Sequence, residues 1–570
     1  IILSGGQMIY RPGSDQSSHI GIEFLDASFV ASHQTSVADD KRSVNLALDG
    51  SVGADTLAWL HTRAHIPEDL QINPPVSLTS VNLTLKPDAT LSLTGGLRTA
   101  SGLGITVDLT KSSETIDIHE LHVADGYSDV LLSARIKDTL IDLTFKGNVE
   151  QQTVDGLLKT NPFLRGRIDG DFKASIHTDN PLASTVVGKL SGNGLQIPEQ
   201  KAPIPIMVNR FSAVGRGNRF EILPSEVAVD DMLLQVDGTL VPGERALFFE
   251  VNVNSDRLDL NLIQSLKTDE NESPPAEEEK KPPPTIVPNG TIHLKSRSLT
   301  YGDFTWSPVD ADIRIESGNT YITVNQAQLC GISTTGDLDI TDQGIGLSIS
   351  PLATNASLQK TYDCLWDKYI RVDARYDLVG NIELMPTQKD PISSLSGRAT
   401  FSSKNGRIYH SSTLLKIFSV LNITELFTGG QSDLNRQGYG YSTAWIKARL
   451  GDGKLYLDEV LLDGNALKIT GQGSIDLKAA TADIIVLAAP LKTVDRLVNK
   501  IPIFRYITGG SLITVPLRLH GKVKDLSVVP LPPSAVGKGL LNFMERTLKA
   551  PFKLVEGAKG AVSGKAEREN

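Results

Sequence analysis

Cysteine, aromatic residues and long apolar runs are all scarce in this chain of 570 residues. Cys330 and Cys364 are its two cysteines, too few for the disulfide framework that staples small secreted domains. They are either inert core thiols or one disulfide formed in an oxidising compartment. Aromatics make up 6% of the residues, so the apolar surface is mainly aliphatic. No stretch of 18 apolar residues occurs, which leaves the sequence without a transmembrane helix. The chain opens at Ile1 in strand-like sequence rather than at methionine. An N-terminal signal or anchor is therefore expected to have been removed.

Basic charge is also lacking. The formal net charge is −10, and no cationic stripe offers the phosphate neutralisation that nucleic acid requires. Catalytic signatures are missing as well: no Walker A loop, HExxH, GxSxG elbow or EF-hand loop occurs. His61 and His65 stand one helical turn apart near Glu68. That spacing is compatible with a metal, but a lone pair of this kind reads as surface histidines. His119 and His122, three apart on an expected strand, should face opposite sides. Carboxylates fall mostly at turns, where aspartate serves backbone geometry. We expect no enzyme activity, no cofactor and no metal site.

What the sequence does have is alternation. Val81, Leu83 and Leu85 alternate with Asn82, Thr84 and Lys86, and Ile513, Val515 and Leu517 alternate with Thr514, Pro516 and Arg518. The pattern recurs from about residue 20 to about residue 530 and reads as strands with one apolar and one polar face. Asp-Gly and Asn-Gly dipeptides punctuate it at residues 49–50, 155–156, 169–170, 193–194, 237–238, 289–290, 405–406, 452–453 and 463–464. Such pairs suit type I′ turns between neighbouring antiparallel strands. The expected fold is therefore mostly β: a long antiparallel meander curled into an elongated hydrophobic groove, with a few short helices.

Residues 268–289 (TDENESPPAEEEKKPPPTIVPN) interrupt the pattern with acid, lysine and proline, and read as a disordered loop. This segment separates an N-terminal β region (1–267) from a C-terminal one (290–530). Helices are expected at 53–69, 411–427, 490–501 and 534–556, and a disordered tail at 557–570. In the last helix, within the segment 531–556, Leu540, Leu541, Met544, Leu548 and Phe552 share one half of the cylinder. Lys538, Arg546, Lys549 and Lys553 lie on the other half, and Pro551 should kink it. This helix either caps the β core or meets a membrane surface or an outer-membrane partner.

Between about 395 and 555 the order of motifs is distinctive. A strand ending in Asn405-Gly406-Arg407-Ile408 precedes Leu414-Leu415-Lys416-Ile417-Phe418. Gly471-Gln472-Gly473-Ser474-Ile475 and Pro490-Leu491-Lys492-Thr493-Val494-Asp495 follow. Ile501-Pro502-Ile503-Phe504 then leads into Thr508-Gly509-Gly510, and a strand ends at Gly521-Lys522-Val523. This order resembles the AsmA-like C-terminal domain of AsmA, TamB and YhdP-type proteins of Gram-negative envelopes. Gly53-Ala54-Asp55-Thr56-Leu57-Ala58-Trp59-Leu60 is more weakly similar to repeats of that family. Arg505-Tyr506 departs from the family, in which glycine often follows the Ile-Pro turn. The resemblance implies an inner-membrane-anchored periplasmic protein of the bridge-like lipid-transfer kind, carrying phospholipid toward the outer membrane without a cofactor.

The residues permit this independently. A one-sided meander must cover its apolar face with a second sheet, helices or a ligand, and helices are few. About 30 strands at about 4.8 Å would make a sheet roughly 140 Å long. A 16-carbon chain left in water costs on the order of 12 kcal/mol at about 0.8 kcal/mol per CH₂, so the apolar path must be unbroken. Groove-facing candidates are Val81, Leu83, Leu85, Ile105, Val107, Ile141, Leu143, Ile313, Ile345, Leu347, Leu467, Ile469, Ile475, Leu477, Ile513, Val515 and Leu517. The function expected is conduction of phospholipid between the inner and outer membranes. The alternative is a closed β-sandwich scaffold that assists outer-membrane protein assembly or envelope integrity. The oligomeric state, lipid identity, direction and energy source are not legible.

Overall fold

The computed structural model describes residues 7–12, 17–24, 27–38, 41–63, 67–196, 204–265, 286–366, 371–387, 390–409, 411–421, 437–491 and 514–549. The expected disordered tail and helix 490–501, apart from residues 490 and 491, lie outside these residues, as do Ile513, Phe552, His65 and most of 268–289. The fold is mostly β, with an antiparallel sheet that does not close into a barrel and a few short helices. Two compact units divide the chain: Ile1–Gly302 with Arg314–Gly318, and Asp303–Ile313 with Asn319–Asn570.

The first unit opens with β1 (Gln7–Pro12), β2 (Ser17–Phe24), β3 (Ala27–Ala38) and β4 (Lys41–Val52), followed by α1 (Ala54–Arg63). Six strands come next: β5 (Val76–Leu85), β6 (Leu91–Thr99), β7 (Gly104–Lys111), β8 (Thr115–Ala124), β9 (Asp129–Lys137) and β10 (Leu140–Glu150). After α2 (Gln151–Leu157) come β11 (Arg167–His177), β12 (Thr185–Gln196), β13 (Ile206–Gly217), β14 (Arg219–Val229), β15 (Met232–Pro242) and β16 (Ala246–Ser255). Each of β1 to β15 pairs antiparallel with the next. The unit ends with β17 (Leu258–Asp259), α3 (Leu260–Ser265), β18 (Val287–Ser296) and β19 (Leu299–Tyr301). Here β18 pairs with β16 in parallel. Val287, Pro288 and Asn289, expected in the disordered loop, are thus strand residues, because the edge of β16 supplies their ladder.

Asp-Gly and Asn-Gly are corrected as turn markers. Asp452-Gly453 forms a hairpin turn, both residues taking φ near +50 to +70°. Asp155-Gly156 lies in α2, and the other seven pairs lie within strands. Mid-strand, the glycine serves close approach between neighbouring chains. At Gly238 of the Asp237-Gly238 pair, φ is +154° and an added Cβ would stand 2.3 Å from the carbonyl oxygen of Glu250. Gly147, outside these pairs, has φ +124°, and an added Cβ there would stand 2.0 Å from the carbonyl oxygen of Asp129. The strand bends where only glycine fits. Other turns use pairs the dipeptide rule passes over, such as Ser317-Gly318 and Cys330-Gly331, both at positive φ.

The two rims of the first unit differ. α1, α2 and α3 begin at Ala54, Gln151 and Leu260 and all follow strands running the same way. At this helical rim gather most of the unit's buried apolar side chains, among them Val52, Leu57, Val76, Leu103, Met232 and Leu258. Polar groups there are tied in: the Ser128 and Thr153 hydroxyls share a 2.5 Å hydrogen bond, and the Thr153 hydroxyl donates to Asp125 at 3.0 Å. The opposite, turn rim leaves Val44 and Leu85 exposed.

His61 belongs to the helical rim. It is 4% exposed, accepts a 3.4 Å hydrogen bond from the Ile72 amide at Nε2, and its Nδ1 has no partner among the described residues. Burial, helped by Lys159, lowers its pKa from 6.5. It is therefore neutral and internal rather than a surface residue. Because the folded pKa lies below the unfolded one, stability is full above about pH 6.5 and falls as the unfolded chain takes up the proton. Thermal unfolding between pH 7 and 5 should show this loss in the first unit, and His61→Leu should flatten it.

The second unit holds β20 (Phe304–Trp306), β21 (Val309–Glu316), which crosses the boundary, β22 (Asn319–Leu329), β23 (Ile332–Thr341) and β24 (Gly344–Ser357). α4 (Leu358–Leu365), β25 (Arg371–Thr387), α5 (Pro391–Ser394), β26 (Leu395–Tyr409) and α6 (Ser412–Val420) follow. The chain then forms β27 (Tyr439–Gly451), β28 (Lys454–Gly464), β29 (Leu467–Asp476), β30 (Thr481–Pro490), β31 (Val515–Lys522), β32 (Ser527–Pro530) and α7 (Lys538–Lys549). From β22 to β32 each strand pairs antiparallel with the next.

Cys330 and Cys364 form a disulfide that ties the β22–β23 turn to α4. The Thr361 hydroxyl reinforces the junction by donating to the Cys330 carbonyl at 2.7 Å. With a sequence separation of 34, loop-closure entropy alone is worth about 3–4 kcal/mol. Cys364→Ser should lower the urea unfolding free energy of the second unit by about that amount, and a reductant should have no further effect on the variant.

Candidate binding stripe

Strand register aligns the apolar residues of the first unit into rows that cross the strands. One row runs Leu46–Leu83–Leu93–Leu109–Ile118–Ala134–Leu143–Ala174–Val186, each paired directly with the next. Ala174 is buried, and every other member is only half-buried. A second row carries Val107–Leu121–Leu132–Phe145–Phe172, ending in rings stacked 5.3 Å apart. These are cross-strand pairs of the kind that set register, yet no layer of the described residues closes over them. Among the residues expected to line a groove, Val81, Leu83, Leu85, Ile105, Val107, Ile141 and Leu143 belong to this face, and Leu85 is exposed at its rim.

In the second unit Leu347 pairs with Leu338 and is half-buried, while Ile345 pairs with Ile340 and both are exposed at the turn rim. Ile313 is half-buried and Leu477 is exposed just past the end of β29. Leu467, Ile469, Val515 and Leu517 are corrected. They are 0, 5, 7 and 0% exposed, packed beneath Leu414, Ile417, Phe418 and Leu421 at the α6 end. They form a closed core, and Ile475 packs at its border. Alternation shows that a strand has an apolar face, but not what covers that face.

Of the two readings open for the C-terminal helix, its packing matches the cap on the β core. Leu540 and Met544 of α7 are 2 and 3% exposed against Leu487 and Ala489, with Leu541 and Leu548 packed alongside. Lys468 donates to the Thr547 carbonyl at 2.8 Å, anchoring the carbonyl end of the helix. The apolar face of α7 is occupied by the sheet. β30 (TADIIVLAAP) is thereby buried on both sides, by α6 and by α7, and its nearly continuous apolar run reflects that.

On the polar face a shallow depression of about 520 Å³ is lined by Asp117, Arg135, Asp142 and Lys173 among others. It neutralises itself: the hydrogen bond from Arg135 holds the Asp117 carboxyl below its usual range, and Ser175 donates to Asp142 at 2.7 Å. A bulge between Ile118 and Leu121 shifts the parity of β8. His119, two residues after Asp117, lines the same depression, and the bulge turns His122 toward that same polar face, so the expectation of opposite faces for His119 and His122 does not hold. His122 bonds separately to Asp129 at 2.7 Å. No group of three metal-ligating side chains occurs among the described residues, and no described helix is long and apolar enough to cross a membrane.

No family model matches this chain, and no curated protein matches it.

Proposed function

We propose that this chain is a lipid-conducting groove protein of the AsmA-like kind, periplasmic and associated with the inner membrane. The single observation that carries the reading is the in-register apolar stripe left half-exposed by the described residues of the first unit. Aliphatic rows at strand spacing offer acyl chains many near-equal sites, each CH₂ gaining about 0.8 kcal/mol on leaving water. The helical rim would stop the tails, and the turn rim would leave headgroups in solvent. Mid-strand glycines such as Gly147 bend strands in the manner that curls a sheet. A disulfide fits an oxidising compartment such as the periplasm. Phospholipid moving between the inner and outer membranes is the cargo we assign.

Native mass spectrometry of the full chain purified in mild detergent tests the reading. Phospholipid adducts are expected, and their number should drop on delipidation. A clean apo mass after purification from intact envelopes would instead favour a scaffold whose apolar face is covered by another protein.

A further inference from the structure

We infer that α6 is the end wall of the apolar path in the second unit. This rests on the groove reading and adds where the path stops. One row on the apolar face runs Phe401–Ile446–Val460–Gly471–Val486–Leu517, each paired with the next. Exposure falls along it. Phe401, Ile446 and Val460 are half-buried, Val486 is 3% exposed and Leu517 is fully sealed. The cover at the sealed end is α6, whose Leu414, Ile417 and Phe418, with Leu421 just past its end, occupy the surface that an acyl chain would need.

Polar contacts fix the helix there. The Ser411 hydroxyl caps its first turn, accepting from the Leu414 amide at 3.3 Å. Lys416 bonds to Asp525 at 2.6 Å and to the Leu526 carbonyl at 2.8 Å, joining the helix to the β31–β32 connection. A tail travelling over β27 and β28 therefore meets protein rather than more stripe. It must leave through the turn rim before reaching β30.

Site-specific photo-crosslinking on the full chain tests this. A leucine-sized diazirine residue is placed at Leu347, Ile446 or Leu519. Each protein is loaded from vesicles of phosphatidylethanolamine and phosphatidylglycerol and irradiated. Adducts at Leu347 and Ile446 should exceed those at Leu519 by about tenfold, a full decade of preference. Equal labelling at Leu519 overturns the wall and leaves the groove standing. No labelling at any of the three positions overturns the groove reading itself. In Leu414→Ala/Phe418→Ala, with unchanged circular dichroism, labelling at Leu519 should rise toward that at Leu347. Labelling that stays at background in this folded variant shows that α6 is not what excludes the lipid, and overturns the inference.

Discussion

Val107→Glu is expected to leave the protein folded and strip it of lipid, whereas Leu517→Glu is expected to unfold the C-terminal block. Both replace an inward aliphatic residue with a carboxylate, and their surroundings decide the outcome. Val107 is half-buried on a face with no covering layer among the described residues, so a carboxylate there keeps access to water. Its cost to stability should be about 1 kcal/mol, within the range of ordinary substitutions. A charge in the path of an acyl chain is another matter, because hydrocarbon cannot solvate it. Leu517 is fully buried between β30 and α6. Glutamate there forfeits about 1.5–3 kcal/mol of burial and adds several kcal/mol for an unpaired charge. Against a typical total of 5–15 kcal/mol, that is enough to abolish folding of the block. Urea titration and lipid content by mass spectrometry, measured on both variants, separate the cases. Equal destabilisation by the two would mean that the stripe is as closed as the core.

Gly147→Val is expected to be severely damaging on the stripe itself. Its φ of +124° strains any other residue, and the new Cβ would collide with the Asp129 carbonyl at 2.0 Å and with the Val130 Cα at 2.9 Å. Backbone atoms of a paired strand cannot step aside as a flexible side chain can. Strain of this class costs about 1–3 kcal/mol before the clash is relieved, so a loss of about 3–5 kcal/mol is expected. Gly126→Ala is the control. It sits in the β8–β9 turn with nothing within 4 Å, and should change stability by less than about 0.5 kcal/mol. Chemical denaturation of both variants checks the contrast.

The sheet was legible because period-two alternation is a direct consequence of strand geometry. The meander was legible too, although most of the dipeptides offered as its turns lie inside strands. What escaped was anything decided by a neighbour. α2 and α4 are 7 and 8 residues long, too short for a helical period to emerge. Glu68 and Asp69, expected within helix 53–69, belong instead to a separate 3-10 turn, Glu68–Leu70. Leu467 and Val515 alternate like Leu83 and Val107, and only the position of α6 makes them core. A local sign was available: Ile484, Ile485, Val486, Leu487, Ala488 and Ala489 run without alternation, as a strand buried on both faces does.

The spacing of the helices has a consequence for how such a chain can change its reach. Six strands of the large sheet separate α1 from α2, and six more separate α2 from α3, the two-residue β17 belonging to a separate small sheet. An even number returns the chain to the margin it left, with the same side facing inward. Duplicating or excising one such block would alter length by about 29 Å, at about 4.8 Å per strand. It would invert nothing downstream, so the sheet of the first unit could be lengthened or shortened in whole steps with its apolar face unbroken.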